Sequence, residues 1–308
     1  MKALVTGGSG FIGSNLVKLL IDSGHQVVVL DNHSSGYREN LSGLSVDRVV
    51  DGDIRDSAAI ETAIAGCEAV FHLAASVGNT RSIEHPIADS EINVLGTLRV
   101  LEAARHHGVR KLVFSSSAGI FGELKTVPIR EDHPVDPDTP YGASKLGAEK
   151  LCLAYAKLYP LECICLRYFN VYGVHQRYDA YGNVIPIFAH RALRGQPLII
   201  HGDGEQTRDF INVRDVAMAN YRAAMSRGVS GAFNIASGTR VTINELARLL
   251  ARAGNLDVSI DHGPPRPGDV RHSLADVSAA RSAFGFEPVV PLETGLPEYM
   301  AWARGVMV

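Results

Sequence analysis

Residues 6–13 read TGGSGFIG, and they lie between an apolar run and a segment whose apolar residues recur with helical spacing. Gly7 permits a tight turn, Gly10 lets the backbone approach a pyrophosphate, and Gly13 lets the helix pack closely on the strand. The amide groups at the start of that helix are donors for phosphate oxygens. A glycine-rich loop can also be a plain turn, but its position predicts a dinucleotide site with contacts from Gly7, Gly10, Phe11, Ile12 and Gly13.

Asp31 supports this interpretation because it ends the second predicted strand, eighteen residues after Gly13. A carboxylate at that point can bind the ribose hydroxyls and repel a 2′-phosphate, which favours NAD over NADP. The alternative is that Asp31 only caps a turn before Asn32. Asp53 follows the third strand, where it either reaches the adenine amine or is only a strand-end carboxylate.

Short apolar strands alternate with helices over the first half of the chain, an order typical of βαβ units. The sequence predicts an α/β fold, a Rossmann-type doubly wound parallel sheet with a smaller mixed α/β C-terminal substrate-binding region. Residues 1–170 form the NAD-binding domain, joined by strands and helices from later segments, and 171–308 are mainly the substrate domain. The predicted strands are Ala3–Thr6, Gln26–Leu30, Arg48–Val50, Ala69–Leu73, Lys111–Ser115 and Cys163–Arg167. The predicted helices are Phe11–Ser23, one around Glu91–His106, Tyr141–Leu158, Val213–Met225 and Thr242–Ala253.

Composition excludes several classes of protein. The chain has 308 residues with 30 Lys and Arg against 33 Asp and Glu, so a net charge of −3 argues against a nucleic-acid partner. No uncharged apolar run reaches the length of a membrane span. The four cysteines lack metal-ligand spacing, which predicts buried thiols in a reducing compartment and no metal. Because the first residues run directly into a strand, we expect no signal peptide and a cytoplasmic protein.

A tyrosine and a lysine four residues apart open the long predicted helix, in the sequence Tyr141-Gly-Ala-Ser-Lys145. Residues at this spacing share one helical face. An ammonium group near a phenol stabilises the phenolate and lowers a pKa that is ordinarily about 10. Such a tyrosine can take a hydroxyl proton while a hydride leaves the same carbon.

Taken together, these motifs resemble those of the extended short-chain dehydrogenases/reductases, and most closely the nucleotide-sugar 4-epimerases of the UDP-glucose 4-epimerase type. The matching motifs are TGGSGFIG, Asp31, DGDIRD, HLAA, FSSSAGIFG, YGASK and RYFNVYG, which occur in the order seen in that family. The resemblance covers essentially the whole chain. It implies a Rossmann fold, NAD as cofactor and a UDP-sugar substrate.

The resemblance also implies residue roles. Tyr141 would be the base, Lys145 would bind the nicotinamide ribose and tune Tyr141, and Ser117 would bind the sugar 4-hydroxyl. Ser115 and Ser116 compete with Ser117 for that last role. Further cofactor contacts are expected from Asp31, Asn32, Asp53, Ile54, Leu73, Ala74, Ala75, Asn93, Ser115 and Tyr168.

The two residues after Ser117 separate the reactions of this superfamily. The related 4,6-dehydratases carry Asp-Glu there, and the decarboxylases also keep a Glu, whereas this chain has Ala118 and Gly119. Without that carboxylate the 4-keto intermediate has no group to trigger elimination, so return of the hydride is expected. The sequence therefore favours 4-epimerisation, with another NAD-dependent nucleotide-sugar-modifying enzyme (dehydratase, decarboxylase or reductase) as the alternative. A non-catalytic NAD-binding module is a more remote one.

Substrate contacts follow from the same resemblance. Asn170 matches a residue that contacts the diphosphate, and Arg208 and Arg266 match the arginines that clamp it, although either could be a surface ion-pair partner. Arg271 is either another such residue or the partner of Asp269 or Asp276. The last two expected contacts are Arg81, in a segment similar to that of UDP-N-acetylhexosamine epimerases, and Ser273.

Ser273 occupies the position that gates the sugar pocket in hexose epimerases, where a bulky Tyr excludes an N-acetyl group. A serine leaves room, so we expect turnover of UDP-glucose and UDP-galactose together with UDP-GlcNAc and UDP-GalNAc. UDP-glucuronate remains an alternative, although the glucuronate epimerases usually have Thr where this chain has Asn170. The family also implies a homodimer, whose contact faces would use Leu98, Leu101, Leu146, Leu151 and Leu153 unless these leucines are buried within one subunit.

Overall fold

The computed structural model describes residues 1–178, 182–265 and 270–307. Strands and helices alternate in the first part of the chain, as the apolar runs predict. In chain order the elements are β1 (Lys2–Thr6), α1 (Phe11–Asp22), β2 (Gln26–Asp31), β3 (Arg48–Asp51), α2 (Ser57–Ile64), β4 (Ala69–His72), α3 (Asn79–Glu84), α4 (Pro86–Ser90), α5 (Thr97–His106), β5 (Lys111–Ser117), α6 (Pro140–Leu158), β6 (Glu162–Tyr168) and β7 (Asn170–Tyr172). A turn of π-helix (Glu91–Gly96) joins α4 to α5.

The later part of the chain has shorter strands between its helices. Its elements are α7 (Val184–Leu193), β8 (Leu198–His201), β9 (Thr207–Arg208), β10 (Phe210–Asn212), α8 (Val213–Met225), β11 (Gly231–Ile235), β12 (Val241–Thr242), α9 (Ile243–Gly254), β13 (Ile260–Gly263), α10 (Ser278–Phe284) and α11 (Leu292–Val306). Helices α7, α9 and α11 enclose a core of their own, built on Phe188, Leu246, Leu250, Leu296 and Tyr299.

Within the described residues, seven strands form one parallel sheet in the order β11-β6-β5-β4-β1-β2-β3. Helices α1 and α8 cover one face, and α2, α5 and α6 cover the other. Burial on both faces explains why the strands are continuous apolar runs rather than alternating ones. The predicted Rossmann-type α/β fold is therefore confirmed.

The structure differs from the sequence prediction at the sheet edge and in one helix. Strand β11, which the sequence analysis did not predict, returns from beyond residue 170 to pair with β6. The helix predicted around Glu91–His106 has a π turn at its start, where the Thr97 hydroxyl donates to the Asn93 carbonyl oxygen at 2.6 Å. Strand β5 also runs two residues further than predicted, to Ser117.

All four cysteines are buried free thiols, as predicted. Cys163 and Cys165 lie in β6 and Cys152 in α6, next to the sheet. Across the described ranges, no helix is both long enough and apolar enough to cross a membrane.

Candidate active site

Parallel pairing brings the ends of several strands, and the loops that follow them, to one edge of the sheet. The glycine loop follows β1, His72 ends β4, and Ser117 at the end of β5 pairs in register with Tyr168 at the end of β6. In open α/β sheets, ligands bind in the crevice outside this carboxyl edge. The glycine loop and Ser117, predicted separately from the sequence, therefore lie on the same side of the molecule.

The glycine loop has a backbone that larger residues would not fit. Gly7 has a φ of +71°, and a Cβ atom there would lie 2.7 Å from the Ala74 amide nitrogen. A Cβ atom on Gly13 would lie 2.0 Å from the Gly7 carbonyl oxygen. Gly10 is the N-cap of α1 and has no side chain to cover the first amides of the helix. This cradle fits a pyrophosphate, whose oxygens accept hydrogen bonds from such amides.

Asp31 ends β2 beside the glycine loop and is 7% exposed. Its carboxylate accepts hydrogen bonds from the amides of Ser9 and His33, each at 2.8 Å. Asp53 lies nearby, because the Asn32 side-chain amide donates to it at 2.7 Å. The Arg55 guanidinium beside Asp53 lowers the pKa of that carboxyl to about 2. Both acids are therefore ordered by local donors at the end of the sheet where a nucleoside would lie.

The first turn of α6 is built by capping and by close backbone contact. The Thr139 hydroxyl accepts a hydrogen bond from the Gly142 amide at 3.2 Å, and Pro140 occupies the first turn, where its missing N–H costs nothing. A Cβ atom on Gly142 would lie 2.4 Å from the Gly119 carbonyl oxygen, so this turn sits directly on the segment after β5. Tyr141 is thereby held beside Ser117.

Ser117 and Tyr141 lie side by side, because a Cβ atom on Gly119 would lie 3.3 Å from the Ser117 oxygen and 3.7 Å from the Tyr141 ring. The Ser117 oxygen accepts a hydrogen bond from the Gly119 amide at 3.1 Å, which fixes its rotamer. Lys145 lies one helical turn beyond Tyr141, is 3% exposed, and places its ammonium 4.4 Å from the centre of the Phe114 ring. The structure therefore brings the three predicted catalytic residues to one site.

The pKa of Tyr141 differs from the expectation that Lys145 lowers it toward neutrality. In the protein alone, burial raises the pKa of Tyr141, and the neighbouring Ser117 hydroxyl only partly opposes that effect. Burial also lowers the pKa of Lys145, to about 8. Desolvation therefore dominates both groups, since it disfavours the phenolate and the ammonium alike.

The predicted substrate residues Asn170, Arg208 and Ser273 lie together at the base of the C-terminal region. The backbone and side-chain amides of Asn170 donate to the Asp209 carbonyl oxygen, and the Ser273 amide donates to the Thr207 carbonyl oxygen at 3.1 Å. The Arg208 guanidinium donates to the carbonyl oxygens of Thr207 and Val270. The segments carrying these three residues are thus joined to one another.

Asp209 holds this substrate segment in place, although sequence reasoning overlooked it. Its buried carboxylate accepts hydrogen bonds from the amides of Ser237, Gly238 and Ala275 and from the Ser237 hydroxyl. Burial raises the pKa of Asp209 despite these donors. The run Arg208-Asp209 reads as a surface pair in the sequence, and only the fold shows that Asp209 points inward.

The other predicted arginines have different outcomes. Arg81 lies in α3, whose residue Asn79 accepts a hydrogen bond from the Thr139 hydroxyl at the start of α6. Arg266 lies outside the described residues, as does Asp269. Arg271 pairs with Asp203 through two bonds of 2.7 and 2.8 Å. An ion pair is thus found for Arg271, but the proposed partner Asp276 is wrong.

The remaining predicted cofactor contacts lie around the same crevice. The side chains of Tyr168 and Asn93, however, are already hydrogen-bonded within the protein. The Tyr168 hydroxyl is bonded to Asn220 in the core, so only its backbone is left to face a cofactor. Asn93 is 2% exposed, and its amide group is already bonded within the protein. Ile54, Leu73, Ala74, Ala75 and Ser115 lie at or beside the ends of β3, β4 and β5.

Comparison with known proteins agrees with this geometry. The model of the NAD dependent epimerase/dehydratase family matches residues 3–236. The chain belongs to this family. As a member of the NAD dependent epimerase/dehydratase family it uses NAD, and the glycine cradle with Asp31 beside it fits that cofactor.

Relatives and solved structures match this chain over nearly its whole length. A UDP-glucose 4-epimerase of Mycolicibacterium smegmatis is 39% identical over 313 residues, covering 99% of each chain. The UDP-glucose 4-epimerase of Thermotoga maritima, solved with UDP-glucose, has a TM-score of 0.94 and 39% identity, with complete coverage of both chains. A UDP-N-acetylglucosamine 4-epimerase of Methanobrevibacter ruminantium, solved with UDP-N-acetylmuramic acid, has a TM-score of 0.93 and 36% identity over 98% of this chain and 97% of the other. The chain is therefore an NAD-dependent enzyme of the epimerase class.

Proposed function

We propose that this enzyme is a nucleotide-sugar 4-epimerase that interconverts UDP-glucose and UDP-galactose and also accepts UDP-GlcNAc and UDP-GalNAc. The pair of adjacent side chains Ser117 and Tyr141 carries this proposal, because it combines a proton acceptor with a group that orients a sugar hydroxyl. It lies at the same sheet edge as the glycine cradle. A hydride acceptor and a proton acceptor can therefore reach one carbon.

Tyr141 would remove the proton of the sugar 4-hydroxyl while the hydrogen on carbon 4 leaves as hydride. NAD supplies, when bound, the two-electron acceptor for that hydride and the donor that returns it. Ser117 would hold the sugar oxygen by a hydrogen bond, and the ammonium of Lys145 would stabilise the negative charge on Tyr141 as it develops. Burial raises the pKa of Tyr141 in the protein alone, and the positive charge of a bound nicotinamide would oppose that effect.

A 4-keto sugar remains after this step, and its fate depends on the groups around it. No carboxylate is present at Ala118 or Gly119 to remove a proton from carbon 5. A Cβ atom on Gly119 would lie 3.3 Å from the Ser117 oxygen and 3.7 Å from the Tyr141 ring, so position 119 faces the reacting groups. The keto sugar is left to turn over in its pocket and take the hydride back on the other face, with the proton returning from Tyr141.

The family name includes dehydratases, and the same observation argues against that alternative. Elimination of water from carbons 5 and 6 needs an acid and a base beside the sugar, which the dehydratases place at the two positions after the serine. This chain has a methyl group and a hydrogen there. The same lack argues against a decarboxylase.

The substrate assignment rests on Asn170, Arg208 and Ser273. Asn170 and Arg208 would hold the diphosphate, since a guanidinium and an amide can both donate to phosphate oxygens. Arg266 would be the second arginine on the diphosphate, and Arg81 a further substrate contact. A serine at position 273 leaves space for an N-acetyl group, and the similarity to both a UDP-glucose and a UDP-N-acetylglucosamine epimerase supports the same range.

Three wider features belong to the proposal. Residues 1–170 with the returning elements α8 and β11 would bind NAD, and 171–308 would mainly bind the nucleotide sugar. The enzyme would be a cytoplasmic homodimer. An exposed apolar surface supports a dimer, because Ile83, Ile87 and Leu95 are 61%, 76% and 45% exposed along α3, α4 and the π turn. Leu101 is buried within the subunit and takes no part, and light scattering of the purified protein would measure the subunit number.

The test is to incubate the purified enzyme separately with UDP-glucose, UDP-GlcNAc and UDP-glucuronate, without added NAD. Products are resolved by NMR and reduced nicotinamide is followed by absorbance. We expect the 4-epimers of the first two sugars and no net reduced nicotinamide. Loss of water or carbon dioxide, turnover of UDP-glucuronate alone, or no epimer from enzyme verified to hold NAD would contradict the proposal.

A further inference from the structure

Three polar side chains form a buried cluster behind the first turn of α6. Asp89 in α4, Asn93 in the π turn and Ser144 in α6 are 1%, 2% and 4% exposed. The chemistry proposed above does not use Asp89 or Ser144. A buried carboxylate is costly unless donors surround it, so its presence beside catalytic groups needs an explanation.

The cluster is connected by short hydrogen bonds. The Ser144 hydroxyl donates to one oxygen of Asp89 at 2.5 Å, and the Asn93 amide donates to the other at 3.2 Å. The same Asn93 nitrogen lies 3.0 Å from the Ser144 hydroxyl oxygen. Hydrogen bonds to an ionised acceptor are about twice as strong as neutral ones, so Asp89 is the centre of the cluster.

Two functional segments are attached to this centre. Ser144 lies between Tyr141 and Lys145 in sequence, and its hydroxyl is also 3.0 Å from the Tyr141 carbonyl oxygen. On the other side, Asn93 accepts a hydrogen bond from the Ser76 amide at 2.9 Å and donates to the Ser76 carbonyl oxygen at 3.0 Å. Ser76 follows the Leu73–Ala75 segment after β4, which packs against the glycine loop.

We propose that Asp89 is a positioning residue, which holds the Tyr141–Lys145 turn through Ser144 and the segment after β4 through Asn93. The reacting sugar and the cofactor would lie between these two segments. Fixing both to one carboxylate keeps the distance between base and hydride acceptor constant through the two half-reactions. Enzymes lose large factors in rate when reacting groups move by about 1 Å.

The charge of Asp89 also acts on the catalytic pair. Burial raises the pKa of Tyr141, and the nearby carboxylate of Asp89 raises it further. Burial lowers the pKa of Lys145, and Asp89 opposes that change. The titratable groups facing Lys145 are Asp89 on α4, Glu149 and Cys152 on α6, Cys165 on β6 and His72 on β4. Asp89 therefore favours the charged form of Lys145 and the protonated form of Tyr141.

The test compares Asp89→Asn, Ser144→Ala and the double variant with the wild type. Asp22→Asn is the matched control, because Asp22 is an exposed carboxylate on α1 that pairs only with a nearby lysine in the structure as described. We expect kcat to fall at least about tenfold in each single variant, with KM changed little. The double variant should be no slower than Asp89→Asn alone, since both changes remove the same hydrogen bond.

This inference rests on the proposed function, so a second measurement is independent of turnover. Tyrosine labelled with ¹³C at Cζ reports the titration of Tyr141, whose resonance is the one missing in Tyr141→Phe. The Tyr141 titration should move to lower pH in Asp89→Asn and stay in place in Asp22→Asn.

The outcomes separate the two proposals. No epimerisation by the wild type, together with the titration shift, would refute the proposed function and leave the role of Asp89 intact. An unchanged titration and unchanged kcat in a folded Asp89→Asn variant would overturn the positioning role. If Asp89→Asn does not fold, Ser144→Ala decides, because it keeps the carboxylate: full activity in that variant would overturn the proposal, and the expected loss would support it.

Discussion

The Thr6 hydroxyl lies 2.7 Å from Nδ1 of His72 in the core of the sheet, and its direction can be deduced. The Thr97 hydroxyl uses its single proton to donate to the Asn93 carbonyl oxygen. Its oxygen can therefore only accept from His72, whose Nε2 atom lies 3.0 Å away. Nδ1 is then an acceptor, and Thr6 donates to it. His72 is thus the Nε2–H tautomer in a directed chain of hydrogen bonds that connects β1, at the start of the glycine loop, with the π turn.

His72 is expected to remain neutral at every pH at which the protein is folded. Burial and then the charge of Lys145 lower its pKa to about 3, against an ordinary value of 6.5. Below about pH 6.5 the unfolded chain therefore binds a proton that the folded one does not. The free energy of unfolding then falls by about 1.4 kcal/mol for each unit by which the pH is lowered. Denaturant titrations should show this loss as the pH falls from about 6.5 toward 3, and His72→Asn should remove it. The exposed control His262→Asn should keep it, and a charged imidazole at pH 5 in ¹⁵N spectra would contradict the assignment.

Replacing Tyr141 by Phe removes only the hydroxyl that would accept the sugar proton. General-base catalysis contributes about 10²- to 10⁴-fold, so kcat should fall by at least about a hundredfold. NAD content, measured after denaturing the protein, should be unchanged because the glycine loop is intact. Tyr159→Phe, at the exposed end of the same helix, should retain full activity. Normal turnover by Tyr141→Phe would refute the assignment of the base.

Gly13→Ala tests the close contact within the glycine cradle. Its Cβ atom would lie 2.0 Å from the Gly7 carbonyl oxygen, so the loop has to move away from α1. Overpacking of this kind costs about 1–3 kcal/mol, and we expect weaker NAD binding together with a lower melting temperature. Gly305→Ala is the control, since a Cβ atom at this position of helix α11 would have no neighbouring atom within 4 Å. Isothermal titration with NAD gives the comparison, and equal affinity in both variants would exclude a pyrophosphate site at this loop.

Ser273→Tyr tests the specificity of the sugar pocket. Ser273 is 8% exposed, and its amide donates to the Thr207 carbonyl oxygen beside Arg208, so a phenol ring at this position would have to fill space in the proposed sugar pocket. We expect kcat/KM to fall much more for UDP-GlcNAc than for UDP-glucose. Ser278→Tyr, at the exposed start of α10, should leave kcat/KM unchanged for both sugars. Equal losses for both sugars would show that position 273 is not the gate.

Much of the fold could be predicted from the sequence because buried parallel strands are apolar throughout. The strands up to β6 each have such a run, apart from the exposed edge strand β3, and their order along the chain is regular. Strand β11 could not be recognised from the sequence, because the polar Asn234 interrupts its apolar run. In the structure Asn234 is fully buried and donates to the Ile129 and Asp276 carbonyl oxygens. The π turn depends on a hydroxyl–carbonyl bond that no periodicity reveals. Tertiary contacts, rather than local preference, decide both.

The site was predictable where its residues belong to short motifs. Ser117, Tyr141 and Lys145 converge as expected, because strand ends and a helix start determine their places. Asp89 and Asp209 carried no such signal: an acid in a short polar helix and an acid after an arginine both predict a solvated surface. Each became recognisable only when the fold buried it among donors. Burial raises the pKa of Tyr141 in the protein alone, and the spacing of Tyr and Lys contains no information on that desolvation.

Strand β11 and helix α8 have a consequence for how the chain is made. Residues 1–170 are synthesised before either element exists. Until then β6 is an unpaired edge strand, and the side of α1 that packs on α8 is exposed. Unpaired edges invite association with other chains. Residues 1–170 alone therefore lack one strand of the sheet and part of its cover, and we expect a fragment ending near residue 170 to aggregate. The sheet is complete only once residue 235 has been synthesised, so the proposed NAD-binding part would be finished after much of the proposed sugar-binding part.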